Sequence, residues 1–338
     1  MPEDFIFDEI IELNEDEDKY YDPDYYNDEN HEEEYEYEAD IEPPNPGIHG
    51  KISRVEYNGN VAYIFGTLHH GRPHWFPLHP IVTAAMYSSD VFAFETDLTP
   101  ISENPEAWAL RQYYALLPEG MTLREYLPED VFDSFYTNLR TWPRVSFINI
   151  AHLKPDQAIR SIVNASFRPY VEQSYIFVDN YIEAFALEQN KSIIPLIERL
   201  HSVSLSFFRP LEIHIYLAST FPDWNTAFYY FTKYPDTIAI EQYEQQDIDG
   251  IISRMHIENA DTSLEAAHMR DVTATQRSGL FASKINQLLT ETEEPTTFFV
   301  AIGIAHLTHP YTNTLVALEN YSHEIYPLWH SALTDSES

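Results

Sequence analysis

Val61-Ala62-Tyr63-Ile64-Phe65-Gly66-Thr67-Leu68-His69 sets an apolar run of strand length before a Gly-x-x-His segment, and Phe298-Phe299-Val300-Ala301-Ile302-Gly303-Ile304-Ala305-His306 repeats the arrangement near the other end of the chain. A third run, Val91-Phe92-Ala93-Phe94, ends in the same way on Glu95. Short uninterrupted apolar runs suit strands covered on both faces. In open α/β sheets, sites form outside the carboxyl ends of such strands. Each run thus delivers a residue able to bind a metal or move a proton. Two histidines and one carboxylate are a recurrent ligand set for a divalent ion. Glycine before the histidine allows a sharp turn or a close approach.

Working outward, Lys51–Tyr57 alternates as a strand does, and Asn58-Gly59-Asn60 signals a tight hairpin returning into Val61–Phe65. The spacing predicts helices over Pro80–Ser89, Thr122–Leu139 and Tyr175–Leu187, and a long one over Thr262–Leu289 capped by Asp261 or Thr262. Lys191–Ile197 reads as a further strand, Thr314–Asn320 as a helix and Glu324–Leu328 as a last strand. The expected fold class is α/β (α+β). A mixed central sheet is built from N- and C-terminal strands, with a large helical insertion between about residues 100 and 290.

The 338 residues are 44% hydrophobic, with 20 Phe and 24 Tyr, enough for a substantial core. The net charge of −36 is uneven: residues 1–42 hold 20 acids against Lys19 alone, giving −19, and the remainder holds 35 acids and 18 bases, giving −17. Nucleic acid and anionic membrane surfaces are not expected partners, because they call for a basic patch. Cysteine is absent, which excludes disulfides, thiolate metal sites and a Cys nucleophile. The acidic start Met1–Asp8 is unlike a secretory signal, and no run approaches a membrane span, so the expected location is cytoplasmic unless another export route operates.

Two units follow: an acidic, Tyr-rich tail over residues 1–46 and a domain over residues 47–332. Like-charge blocks such as Glu15-Asp16-Glu17-Asp18 repel and extend, so the tail reads as a disordered, solubilising arm. Phe5-Ile6-Phe7, Ile10-Ile11 and tyrosines such as Tyr20, Tyr21, Tyr25 and Tyr26 also permit a docking peptide for a protein partner, or an arm lying over the site.

His69 and His306 are the leading metal-ligand candidates, against the plainer reading of each as a hydrogen-bonded structural histidine. Glu95 interrupts an apolar stretch, and a carboxylate at a buried strand end costs several kcal/mol unless it is paired or metal-bound. It reads as a ligand or a general base. Asp97 points the same way if the strand continues. His70 would face away from His69 and support the site rather than bind. His309 lies one helical turn beyond His306 if that segment coils. Arg277 occupies the long helix, either as part of a solvated face or as a clamp for an oxyanion or carboxylate. Asp179 and Glu198, each among apolar neighbours, orient a site histidine or pair with an arginine. No Gly-x-Ser-x-Gly, phosphate loop or His-Glu-x-x-His occurs, which disfavours serine hydrolases, nucleotide-binding enzymes and standard zincins.

Over roughly residues 50–330 these features resemble the TraB/GumN family, which includes the Tiki proteases and pheromone-shutdown proteins. Gly66-Thr67-Leu68-His69, with the Pro-containing loop and helix after it, is similar to the family's Gly-Thr-x-His. Phe94-Glu95-Thr96-Asp97-Leu98 falls where the family has an acidic strand end. Leu117-Pro118-Glu119-Gly120-Met121-Thr122-Leu123 and Leu153-Lys154-Pro155 are similar to GumN-type segments. Asp179 lies in a helix like the family's Asp-containing one, Arg277 matches the arginine of its long helix, and Gly303-Ile304-Ala305-His306-Leu307 resembles its second motif. The resemblance implies an α/β fold related to erythromycin-esterase and ChaN-like proteins. It also implies metal-dependent proteolysis using the two histidines and the glutamate.

The function expected is therefore hydrolysis of a peptide or a small ester or amide. A divalent ion would be held by His69, His306 and Glu95, with Arg277 at the developing oxyanion. Two other readings stand beside it: a metal-free, esterase-like hydrolase with a histidine base, and a non-catalytic interaction protein recruited through the tail.

Overall fold

The computed structural model describes residues 50–68, 71–140, 146–162, 177–221, 275–309 and 313–328. The expected tail, His69, His70 and the first half of the expected Thr262–Leu289 helix lie outside these residues.

Strands β1 (Lys51–Tyr57) and β2 (Asn60–Thr67) form the predicted hairpin, with Tyr57 paired to Asn60. Asn58 and Gly59 both have positive φ, 49° and 89°, as a two-residue turn matched to strand twist requires. Helix α1 (Pro80–Ser88) has Pro80 in its first turn and His79 as its cap, the Nδ1 of His79 accepting from Ile81 N. Strand β3 (Val91–Phe94) follows.

The helical insertion then runs through α2 (Pro105–Ala115), α3 (Leu123–Tyr126), α4 (Glu129–Leu139) and α5 (Phe147–Ile150). The single helix expected over Thr122–Leu139 is two. Pro128 has no N–H to donate and holds Leu127 extended, with ψ 151°, so the chain breaks there. Helix α6 (Val178–Glu188) leads into strand β4 (Ser192–Pro195), and α7 (Arg199–Phe207) and α8 (Leu211–Thr220) complete the described part of the insertion. Helix α9 (Ser278–Glu291), preceded by a π turn over residues 275–277, leads into β5 (Thr297–Gly303). The short α10 (Ala305–Thr308), α11 (Thr314–Glu319) and β6 (Ile325–Pro327) close the described chain.

The protein has a mixed α/β fold. Its sheet has six strands in the order β4-β3-β5-β2-β1-β6, with β2, β3, β4 and β5 mutually parallel and β1 and β6 antiparallel to their neighbours. Among the described residues, β4 is the one strand contributed from within the insertion; it pairs β3 at the sheet's edge. Strand alternation sorts the core. Phe65, Phe92 and Phe299 pack with Val82 and Met86 of α1 and Ile182 of α6 on one face, and Ile64, Ala93 and Val300 pack with Phe281 and Ile285 of α9 on the other. A third buried cluster, including Leu123, Phe135, Leu217 and Phe221, belongs to the insertion alone.

This order fixes where the chemistry goes. β5 lies between β3 and β2, so the carboxyl ends of all three meet at one edge, Thr67 opposite Gly303 and Phe94 opposite Ala301. α9 runs antiparallel to the β5 strand it feeds, so its first residues arrive at that same edge.

Candidate active site

Alternation places Val91 and Ala93 on the α9 face, and Glu95, the next residue in that series, is turned toward α9. There it meets the helix start. Arg277 NH2 donates to Glu95 Oε2 at 2.7 Å, and Gly303 N donates to Glu95 Oε1 at 2.6 Å. The side chains of Glu95 and Arg277 are only 16% and 19% exposed, so the pair is largely shielded from water.

His306 lies in α10, directly after β5, and is buried. Its Nδ1 stands 3.1 Å from Ser278 Oγ, and its ring packs edge-on against Phe281, centroids 4.9 Å apart. The Nε2 is 3.8 Å from Glu95 Oε1. An imidazole with its proton on Nδ1 would donate to Ser278 and direct the Nε2 lone pair toward Glu95. A partner on one ring nitrogen setting the chemistry of the other is the usual way a ligand or base histidine is oriented.

Both motif glycines work through close approach, not through unusual backbone angles. A Cβ at Gly303 would stand 3.1 Å from Glu95 Oε1. A Cβ at Gly66 would stand 3.1 Å from Ile304 Cγ1 and 3.2 Å from Leu307 Cδ1, where β2 and the turn carrying His306 press together. Ile304 N donates to Thr67 O at 2.8 Å, and Lys51 Nζ donates to Leu307 O at 2.6 Å, so that turn is tied to both β2 and β1. Burial pushes the Lys51 amine down from 10.5 to about 8.

The edge gathers Glu95, Arg277 and His306, and adds Ser278, Gly303 N–H and Lys51, to which the sequence reading gave no role. The signal for Ser278 was available, since a serine follows Arg277 at the helix start. Lys51 carried none, being one lysine in an alternating strand. Asp97 leaves the series because β3 ends at Phe94. Its carboxylate is paired with Arg199, 3.1 Å from Nε, and this Asp97–Arg199 pair fastens the start of α7 to the loop after β3. Hydrogen bonds from Arg199 and Thr99 outweigh burial and hold the Asp97 carboxyl below its ordinary range. Glu198 is the exposed residue heading α7, and Asp179 lies in the first turn of α6. His309 ends α10, its N–H bonded to Ala305 O. His69 and His70 are outside the described residues.

Whether these residues suit a divalent ion turns on the donor set. Donors bound at ~2.0–2.2 Å to one ion lie between about 3 and 4.4 Å apart, a range that contains the Glu95–His306 separation of 3.8 Å. Among the described residues no group of three or more His, Asp or Glu side chains could hold a metal ion, so Glu95 and His306 would be two members of any such set. Two buried donors at this edge, Thr67 Oγ1 and Arg277 Nε, have no hydrogen-bond partner among the described residues, and a bound oxygen would satisfy them.

Residues 52–317 match the model of the TraB/PrgY/gumN family. No curated protein and no solved structure matches the chain. Among the described residues no helix is long and apolar enough to cross a membrane.

Proposed function

This chain belongs to the TraB/PrgY/gumN family, and we propose that it is a metal-dependent hydrolase acting on peptide bonds or small esters and amides. Glu95, His306 and His69 would hold the ion; His69 lies two residues beyond Thr67, the residue paired with Gly303. The observation that carries the reading is the approach of Glu95 Oε1 to His306 Nε2, with Nδ1 of the same ring engaged by Ser278. A bound divalent ion would polarise the scissile carbonyl and lower the pKa of water toward ~7.

The chain's own groups supply the remainder. Ser278 and Phe281 fix the His306 ring. Gly303 N–H and Arg277 hold the Glu95 carboxylate in one orientation. Arg277, with Nε directed to no acceptor among the described residues, has a donor for negative charge developing on the substrate oxygen.

The test is metal content of the full chain as purified, followed by chelation and reloading with Zn2+, Mn2+ or Co2+. Loading should raise the melting temperature, as any ligand selective for the native state does, and Glu95→Gln and His306→Ala should each abolish the rise. Binding should weaken toward acid pH, since protonated imidazole is not a ligand. Turnover of fluorogenic peptides and aryl esters should follow metal occupancy.

One observation favours a second, metal-free reading. Glu95 already has a cation and an N–H as partners, which could leave His306 as the general base. Full turnover after verified removal of metal would select that reading and reject the first.

A further inference from the structure

The insertion presents a face unlike the rest of this acidic body. On α2, the segment joining α7 to α8 and the start of α8, Tyr113 is 73% exposed, Phe208 55% and Leu211 48%. Cations are interleaved with the rings. Arg111 lies 5.6 Å from the Trp108 centroid and 5.2 Å from that of Phe207, and Arg160 lies 5.7 Å from Phe207. Lys154 lies 5.5 Å from Tyr113 and 5.9 Å from Tyr114, and Tyr114 contacts Phe208 at 5.8 Å. Of the acids on and beside these elements, Asp156 is turned inward to His214, while Glu106 on α2, Glu198 at the head of α7 and Glu212 beside Leu211 are exposed. An exposed aromatic surface with cations over its rings is suited to a chain that brings both carboxylates and aromatic side chains.

We propose that the acidic, tyrosine-rich residues 1–46 of this same chain dock on that face. Charge selects the occupant: residues 1–42 carry −19 and bring Phe5, Phe7 and paired tyrosines such as Tyr20-Tyr21 and Tyr25-Tyr26. Connectivity selects it again. The described chain starts at Gly50, and Lys51 pairs with Gly66, so the tail joins the body at the carboxyl edge. β1 is four places from β4 in the sheet, about 19 Å at ~4.8 Å per strand, and α7 leaves from the carboxyl end of β4. About six extended residues cover that distance. Tethering makes the binding intramolecular, at an effective concentration on the order of mM. The docking stands independently of the hydrolase reading.

The chain has no cysteine, so two introduced thiols can carry a dye pair in the full-length protein: Asn30→Cys in the tail and Ala109→Cys on α2. Docking predicts strong energy transfer at ~0.05 M salt that falls by about half at ~1 M, where surface charge is screened. An undocked acidic arm gives the opposite sign, because screening its self-repulsion contracts it and raises transfer. Reversing the exposed Arg160 (Arg160→Glu), alone and with Arg111→Glu, should lower transfer at low salt while the circular dichroism melt stays in place. The salt arm needs no such variant, so a misfolded double variant leaves the test intact. Transfer that rises with salt, or that ignores both salt and charge reversal, overturns the proposal. So does transfer between singly labelled chains mixed together, which would make a second copy the occupant.

Discussion

Gly303 shows how little room the site leaves. Its N–H holds Glu95 Oε1 at 2.6 Å, and a methyl group in place of its hydrogen would stand 3.1 Å from the same oxygen. Contacts this short force the neighbour to move by a few tenths of an ångström. Glu95 has little freedom to move, because Arg277 grips its other oxygen. Gly303→Ala should therefore displace the carboxylate while leaving β5 folded. We expect turnover in the substrate screen to fall at least about tenfold, equivalent to ~1.4 kcal/mol at the transition state, with a melting temperature within about 4 °C of wild type. A variant with wild-type turnover would show that the Glu95 position is not critical. The glycine's presence before the histidine is legible in the sequence, but its reason is not. The residue it makes room for comes from β3, some two hundred positions away in the chain, and only the strand order brings them together.

At the scale of elements, alternation makes β1 legible and short uninterrupted apolar runs make β2, β3 and β5 legible almost to the residue, since each is buried on both faces or sits in a tight hairpin. The sequence reading falters where an element's end matters more than its middle. Alternation carries Asp97 toward the site only if β3 continues, and it stops at Phe94. The helix expected over Thr122–Leu139 overlooks Pro128. Lys51 is the instructive case: at the start of β1 it is 9% exposed and bonds the last turn of α10, joining the hairpin to the helix that carries His306. Its amine is lowered from 10.5 to about 8 by burial. Below pH 8 both folded and unfolded states hold the proton, and the folded state bears the desolvation cost. Between about 8 and 10.5 the unfolded chain retains a proton that the folded chain has released, so stability rises with pH across that window. Urea unfolding of wild type and Lys51→Met should show the wild type gaining on the order of 3 kcal/mol relative to the variant from pH 7 to pH 10.5. A difference that does not change with pH would mean the amine is solvated in the folded protein.

At the scale of the molecule, the sheet's two clusters and the insertion's own cluster divide the stabilising contacts, and a buried polar group sits within the third. Asp156 Oδ1 and His214 Nε2 are 3.2 Å apart, close enough for an ion pair though not aligned as a good hydrogen bond, and His214 Nδ1 is 2.9 Å from Tyr126 OH. The triad joins α3, α8 and the helical residues 155–162. Burial by itself would raise the Asp156 carboxyl. The close approach of the His214 ring, a hydrogen bond from Gln157 and the charge of Arg209 outweigh it and hold the carboxyl below its ordinary 3.8. A lowered carboxyl contributes stability that is present above its unfolded value and lost as pH falls through its folded value. Asp156→Asn should thus lower the melting temperature at pH 7 by about 4–8 °C, taking ~2 kcal/mol for a partner removed from a buried charged hydrogen bond. The deficit should shrink as both proteins are taken below pH ~3.8. Because the insertion has its own core, the damage should also be local. Hydrogen exchange at pH 7 should speed up in α3, α4 and α8 and stay unchanged in β2, β3 and β5. Uniform acceleration through the sheet would instead mean that the insertion and the sheet unfold as one cooperative unit, so that a perturbation of the face proposed to receive the tail would reach the Glu95–His306 edge through the body of the protein.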